Sequence, residues 1–449
     1  MKLDGKRIGR TDITNFMTAI VFVFIYRYIH IDFLVKYFEY FGYCDLTSTY
    51  YEKWITNIIA IIPILLYSGR EKASNYISIL IYILIYVPII ITIQYSFSNY
   101  YNVINYQLVF LFAMCLFFLS DFFIYNKYSV TANTDVIPVK LWLWSGVMLS
   151  IIVLTSYGPS SLRLVSFEEV YDVRNDNQDV LDSNPIIGYF VLWISYVFVP
   201  LFAAIGLMNK KKSMIALSVM FALLIYMSTG SKATILAPFF AFSIFFCLKH
   251  IGFKYLFPTV VAGFLLVMIW SDVAGNNENK VNFMVASVLL LRTLGISGLL
   301  SIAYIDFFAN NPYTYYSHIG IVNKITGAYP YGNDVLGKAV WSGFRNVNVE
   351  DAMNANANFL VTDGIAACGV FGVFFISIIF FLLLIYINKV TARYNQTFVF
   401  ILLLGAVLSL LNVSLFTTLV SCGLLLLILF FRFSTVTNLL NSPKTDQDG

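Results

Sequence analysis

Twelve apolar runs separated by polar linkers leave this chain few ways to fold. They lie at about 14–34, 54–69, 75–96, 103–125, 138–158, 185–208, 213–229, 233–249, 253–271, 359–387, 397–411 and 414–431. A helix needs roughly 20 mainly apolar residues to cross a hydrocarbon core, and the shorter runs need tilt or local thinning to manage it. Only 12% of the residues are charged, against about 25% in soluble domains. Such a chain cannot cover a globular surface with polar groups and must set much of it against lipid. Its 31 Tyr and 42 Phe fit the same solvent, since Tyr favours the membrane interface. The predicted fold is an all-α polytopic membrane protein of about twelve transmembrane helices. The basic start MKLDGKRIGR leads into the run at 14–34 without a small-residue cleavage site, so that run is expected to be a retained span. The five cysteines sit mostly in apolar runs and form no CxxC pair, which reads them as small hydrophobes.

The linkers alternate in charge. One set carries Lys2, Lys6, Arg7, Arg10, Arg70, Lys72, Lys127, Lys140, Lys210, Lys211, Lys212, Lys249, Lys254, Lys389, Arg393, Arg432 and Lys444. Short cytoplasmic loops collect Lys and Arg, so both termini are predicted to be cytoplasmic. Two long connections then face out, at 159–184 and 272–358, and the polar tail 441–449 is expected to be disordered. Residues 283–308 are apolar enough to span. A single crossing there would move Lys389 and Arg393 outside, against the charge rule, so an interfacial or re-entrant helix is expected.

Four places could carry chemistry. The first long external loop holds Arg163 and Arg174 among acids that include Glu168. Guanidinium groups bind phosphate oxygens in pairs and stay charged, but the same arginines could simply pair with their own loop's carboxylates. The turn STGSKAT ends one span and opens the next at Lys232, giving a helix start and a cation together, a compact anion site. A snorkelling lysine is the plainer alternative. Arg292 lies inside an apolar run, where an arginine needs a partner or a wet cavity. The stretch from Asn311 to Gly364 is rich in Tyr, Trp, Asn and Gly, residues on which sugars stack and to which hydroxyls bond. Its candidate sugar contacts are Tyr329, Tyr331, Trp341 and Asn356. His318 is its only histidine, hence the candidate base, or else an ordinary surface residue. Asp363, near the end of a span, could be an acid, a base or an interfacial residue. No HExxH, Cys/His metal spacing, GxSxG or dinucleotide fingerprint occurs.

The runs LRLVSFEEVYDVR, GYFVLWISYVFVP and STGSKATILAP, with the block YPYGND…NANANFLVTDGIAACGVFG, resemble the Wzy-type O-antigen polymerases, also called oligosaccharide repeat unit polymerases. The order of features matches over about residues 160–375; the first 150 match only in being apolar. The resemblance implies a GT-C-like membrane fold shared with O-antigen ligases. It also implies a multi-pass inner-membrane enzyme with its active face in the periplasm of a Gram-negative bacterium. Its substrates would be undecaprenyl-diphosphate-linked oligosaccharides, joined into O-antigen or a related surface polysaccharide, with a chain-length regulator protein as a further partner. The family's external arginines map to Arg163, Arg174 and Arg292, and a ligase-like loop histidine corresponds only loosely to His318.

A mechanism follows as an expectation. Diphosphate leaves with developing negative charge, and fixed cations placed there lower the barrier. Arg292, with Arg163 or Arg174 and Lys232, would serve as the diphosphate-binding set, and His318, Asp363 or Glu168 would take the acceptor's proton. This chemistry needs no metal or other cofactor. A lipid-linked oligosaccharide flippase would share the span count, but repeated halves and short loops are expected of it. An O-antigen ligase shares fold and donor and differs in acceptor.

Overall fold

The computed structural model describes residues 2–3, 12–46, 49–97, 103–124, 137–158, 161–163, 184–276 and 280–435, with backbone alone at 2–3, 124, 232–233, 272–276 and 280–282. Apart from an antiparallel pairing of Lys2–Leu3 with Phe123–Ile124, the regular structure is helical. Glu168, Arg174 and the tail 441–449 lie outside the described residues, as does most of the connection 159–184.

Nine helices among the described residues are long and apolar enough to cross a membrane. In chain order, the helices are α1 (Ile13–Phe41), α2 (Tyr50–Ile61), α3 (Ala73–Ser96), α4 (Ile104–Phe122), α5 (Val139–Tyr157), α6 (Pro185–Met208), α7 (Lys212–Thr229), α8 (Lys232–His250), α9 (Phe253–Ser271), α10 (Phe283–Asn310), α11 (Gly320–Thr326), α12 (Leu336–Arg345), α13 (Val361–Thr391), α14 (Gln396–Ser409), α15 (Leu415–Val420) and α16 (Leu424–Phe433). The nine are α1, α3, α4, α5, α6, α7, α9, α10 and α13.

Eight of the twelve expected runs lie in these nine helices. The run at 54–69 is α2 followed by a 3-10 turn at Ile62–Leu66, and the runs at 233–249 and 397–411 are the helices α8 and α14. The run at 414–431 breaks into α15 and α16, because Gly423 takes φ +77 to fit against Val197 and Trp193. The segment 283–308, expected as an interfacial or re-entrant helix, belongs to the continuous α10, which is long and apolar enough to cross a membrane, as its sequence already allowed. Its second half buries Leu299, Leu300, Ile302 and Ala303.

The helices start and stop on ordinary signals. Asp12 caps α1 by accepting from the Thr14 N–H at 3.3 Å, and Thr49 with Glu52 forms a capping box at α2. Asn184 caps α6 just before Pro185, whose missing N–H costs nothing at a helix start. Five of the long helices carry a π-helical segment: α1, α3, α6, α10 and α13.

Two compact units divide the chain. The first comprises 1–124, 253–385 and 410–415. Its central helix is α3, wholly buried and packed by α1, α2, α4 and α10. Gly298 of α10 sits directly on Thr92 and the Pro88 carbonyl, a closeness that a Cβ would forbid. Thr92 Oγ1 bonds in turn to Tyr26 Oη of α1 at 2.9 Å. The second unit comprises 125–252, 386–409 and 416–449. There α6 packs with α7, α8 and α14. The Arg393 guanidinium donates to the carbonyls of Phe431 at 3.1 Å and Ser434 at 2.9 Å, closing the end of α16 with a cation where the helix dipole favours one.

Candidate functional site at a broken helix

The first unit carries the densest chemistry, and its frame is a break in α13. Cys368 (φ −155, ψ 27) and Gly369 (φ +61, ψ −135) leave helical geometry. An unbroken helix rises 1.5 Å per residue, which would set residues 364 and 372 about 12 Å apart. Here Gly372 lies against the Gly364 carbonyl, and Gly364 against Val373. The turn before the break therefore doubles back along the turn after it. Tyr313 fills the space that a side chain at 369 would need, with its Oη 2.7 Å from where that Cβ would stand.

The break frees carbonyls, and the segment after α10 takes them up. The Thr314 N–H donates to the Ala366 carbonyl at 2.8 Å and the Tyr315 N–H to that of Ala367 at 3.1 Å. Tyr315 and Tyr316 adopt positive φ (47 and 66) to make the turn, an uncommon conformation for side chains of this size.

Side chains lock the same docking. His318 Nε2 lies 3.3 Å from Asp363 Oδ1, and Asp363 Oδ2 accepts the Leu415 N–H at 2.5 Å. Thr314 Oγ1 lies 2.8 Å from His318 Nδ1 and 2.9 Å from the Ala366 carbonyl. Its single proton can serve only one of them. The carbonyl already holds the Thr314 N–H, so the arrangement with nothing unmet sends the hydroxyl to Nδ1 and Nε2–H to Asp363. Both side chains are shielded, at 6% exposure for His318 and 0% for Asp363. Singled out separately, His318 as the candidate base and Asp363 as an acid, a base or an interfacial residue, they are brought together as a buried pair. In this arrangement neither offers a free face to a substrate.

The rest of the loop folds over this anchor. Tyr331 donates to the Pro312 carbonyl at 2.5 Å, and Tyr329 to that of Asp334 at 2.9 Å. Their rings pack edge to face, and Tyr331 also meets Phe307 and Phe308. Burial pushes both hydroxyls up to about 12, with Asp334 adding to the effect at Tyr329 and Tyr329 to that at Tyr331. Tyr316 is held at about 12 by burial, Cys368 and Asp363. All three phenols therefore stay neutral donors at physiological pH. Tyr329 and Tyr331 are half-buried and Asn356 is exposed. Trp341 is 7% exposed, with Phe41 and Phe344 against its ring.

A shallow polar cavity of about 540 Å³ lies among Asp334, Lys338, Asn348, Val349 and Glu350. The sequence reading missed these residues. The only available signal was their polarity in a Gly- and Asn-rich stretch, which any solvated loop shares.

The expected diphosphate set divides between the units. Arg292, in the π-helical segment of α10, is exposed, and no described residue pairs with it. Arg163 is exposed in the second unit. Lys232 opens α8 just after Gly230 takes φ +62, the turn expected from STGSKAT, and its side chain is not among those described. No group of three or more His, Cys, Asp or Glu among the described residues could hold a metal ion.

No family model matches this chain, no curated protein matches it, and no solved structure matches it.

Proposed function

We propose that the chain is a membrane-embedded glycosyltransferase of the polymerase class, which joins lipid-diphosphate-linked oligosaccharide repeats. The observation that carries this reading is the exposed Arg292, unpaired among the described residues, on the helix that leads into the folded aromatic loop. An arginine within an apolar helix is costly unless something anionic uses it, and this one shares a unit with the polar cavity and the half-buried tyrosines. The four sequence blocks that resemble the Wzy-type polymerases support the same reading.

In the proposed reaction the acceptor hydroxyl forms a bond to the donor's anomeric carbon as the bond from that carbon to the diphosphate oxygen breaks. The diphosphate leaves with the electron pair, and Arg292 neutralises the charge that develops. The hydroxyl proton passes to a general base. Glu168 remains a candidate; His318 could serve only if its pair with Asp363 opens. Asp363 and His318 act in this reading as positioning residues that hold the loop on the broken helix. The proposed setting is the inner membrane with a GT-C-like fold, both termini cytoplasmic and the loop 311–358 periplasmic.

Deletion of the gene in its native host, followed by a lipopolysaccharide gel, tests the reading. A single-repeat phenotype restored by the wild-type chain is expected. Loss of all repeats would indicate a ligase or a flippase instead. Arg292→Ala should abolish long-chain polymer while membrane insertion stays normal. Arg292→Lys should also be impaired, since a point charge does not replace a planar fork. Undiminished polymer from Arg292→Ala removes the arginine from the mechanism.

A further inference from the structure

A second pair of cations lies in the first unit, away from the broken helix. Arg27 belongs to α1 and Lys53 to the first turn of α2, and both turn to Tyr95, the next-to-last residue of α3. The Arg27 guanidinium carbon and Lys53 Nζ each lie 5.7 Å from the Tyr95 ring centroid. Arg27 Nε donates to Tyr95 Oη at 2.8 Å, and Nη1 donates to Asn57 Oδ1 at 3.1 Å. His30 also stacks on the Tyr95 ring, with centroids 4.9 Å apart.

Two positive charges around one ring call for a counter-charge, and no described carboxylate forms an ion pair with either. Glu52 is spent on its capping box with Thr49. Asp45 lies near enough to Tyr95 to act on it electrostatically but bonds to neither cation. An arginine has five N–H donors and a lysine three; Arg27 uses two of its own here, and the Lys53 ammonium uses none. Both side chains are half-buried, so each keeps part of its surface accessible, and both stand beside the same ring. Tyr95 is the next-to-last residue of a helix long enough to cross a membrane, and aromatic side chains at such ends favour the headgroup region.

We propose that Arg27 and Lys53 form a phosphate-binding site. Tyr95 and Asn57 hold the guanidinium plane in place, its unused edge pairs with two phosphate oxygens, and Lys53 supplies the second charge. A purely bracing role for Arg27 across α1, α2 and α3 would explain its two bonds but not a lysine brought to the same ring. The site shares no residue with the broken helix or with Arg292, so it stands or falls independently of sugar transfer. Its ligand is the phosphate of an anionic lipid or a free phosphate ion.

Native mass spectrometry of the purified full-length protein separates these. Wild type should retain phosphatidic acid and not diacylglycerol with the same chains. Arg27→Gln/Lys53→Gln should lose about tenfold in retained phosphatidic acid, as expected for two charge-assisted contacts. Lys53→Gln alone, which breaks no hydrogen bond of the fold, should lose part of it with an unchanged melting temperature. Protection of wild type from heat by inorganic phosphate, absent in Lys53→Gln, would identify the free ion as ligand; retention of phosphatidic acid without that protection would identify the lipid. Equal retention of both lipids with no phosphate effect overturns the proposal, as does undiminished binding in Lys53→Gln. If the double variant fails to fold, Lys53→Gln decides.

Discussion

At the scale of single residues, Asp363 is the most consequential side chain of the broken helix. It accepts from the Leu415 N–H and from His318 while wholly buried. Asp363→Ala leaves both donors without a partner, and each buried unmet donor costs roughly 1–3 kcal/mol. The expected outcome is a large fall in melting temperature in detergent, measured by loss of monodisperse protein on heating. Asp363→Asn, which still presents an acceptor, should fall much less. Asp363 and His318 were both singled out in the sequence, yet not as partners. Their meeting depends on a break that the apolar run around Cys368 conceals. Arg27 shows the opposite failure. The rule that marked Arg292, an arginine in an apolar run, applies to it equally. Its partners Tyr95 and Asn57 stand 68 and 30 positions away, so no local pattern announces them.

At the scale of elements, α13 holds the clearest tests. Gly369 has a backbone conformation that costs a larger residue about 1–3 kcal/mol, and an added Cβ would meet Tyr313. Gly369→Ala should lower the melting temperature and loosen the segment 311–319, seen as faster hydrogen exchange at Thr314 and Tyr315. Gly372→Ala drives a methyl into the Gly364 carbonyl and should be worse. Substitutions such as Leu382→Ile, at an exposed position of the same helix, should change neither measurement. Long apolar helices were legible because their periodic burial matters less than their length. Their interruptions were not legible, because a glycine in an apolar run looks alike whether it eases packing or breaks the helix. The run at 414–431 was read as one span for that reason, and Gly423 divides it.

At the scale of the whole molecule, the charge alternation of the linkers makes a claim about topology. Reporter fusions after residues 10 and 435 should both read cytoplasmic. A fusion within 311–358 should read periplasmic; a cytoplasmic signal there would reverse the sidedness assigned to the candidate site. The wholly buried α3 bears on how such a chain comes into being. Its mean apolarity is high enough for it to enter a bilayer by itself, yet in the finished unit protein surrounds it. One of its chief neighbours, α10, is synthesised only after the stretch 125–252. During that interval α1, α2 and α4 are already at hand for α3, while the face at Pro88 and Thr92 that Gly298 will cover stands open. A nascent chain halted before residue 283 would leave that face bare, a ready target for membrane quality-control proteases.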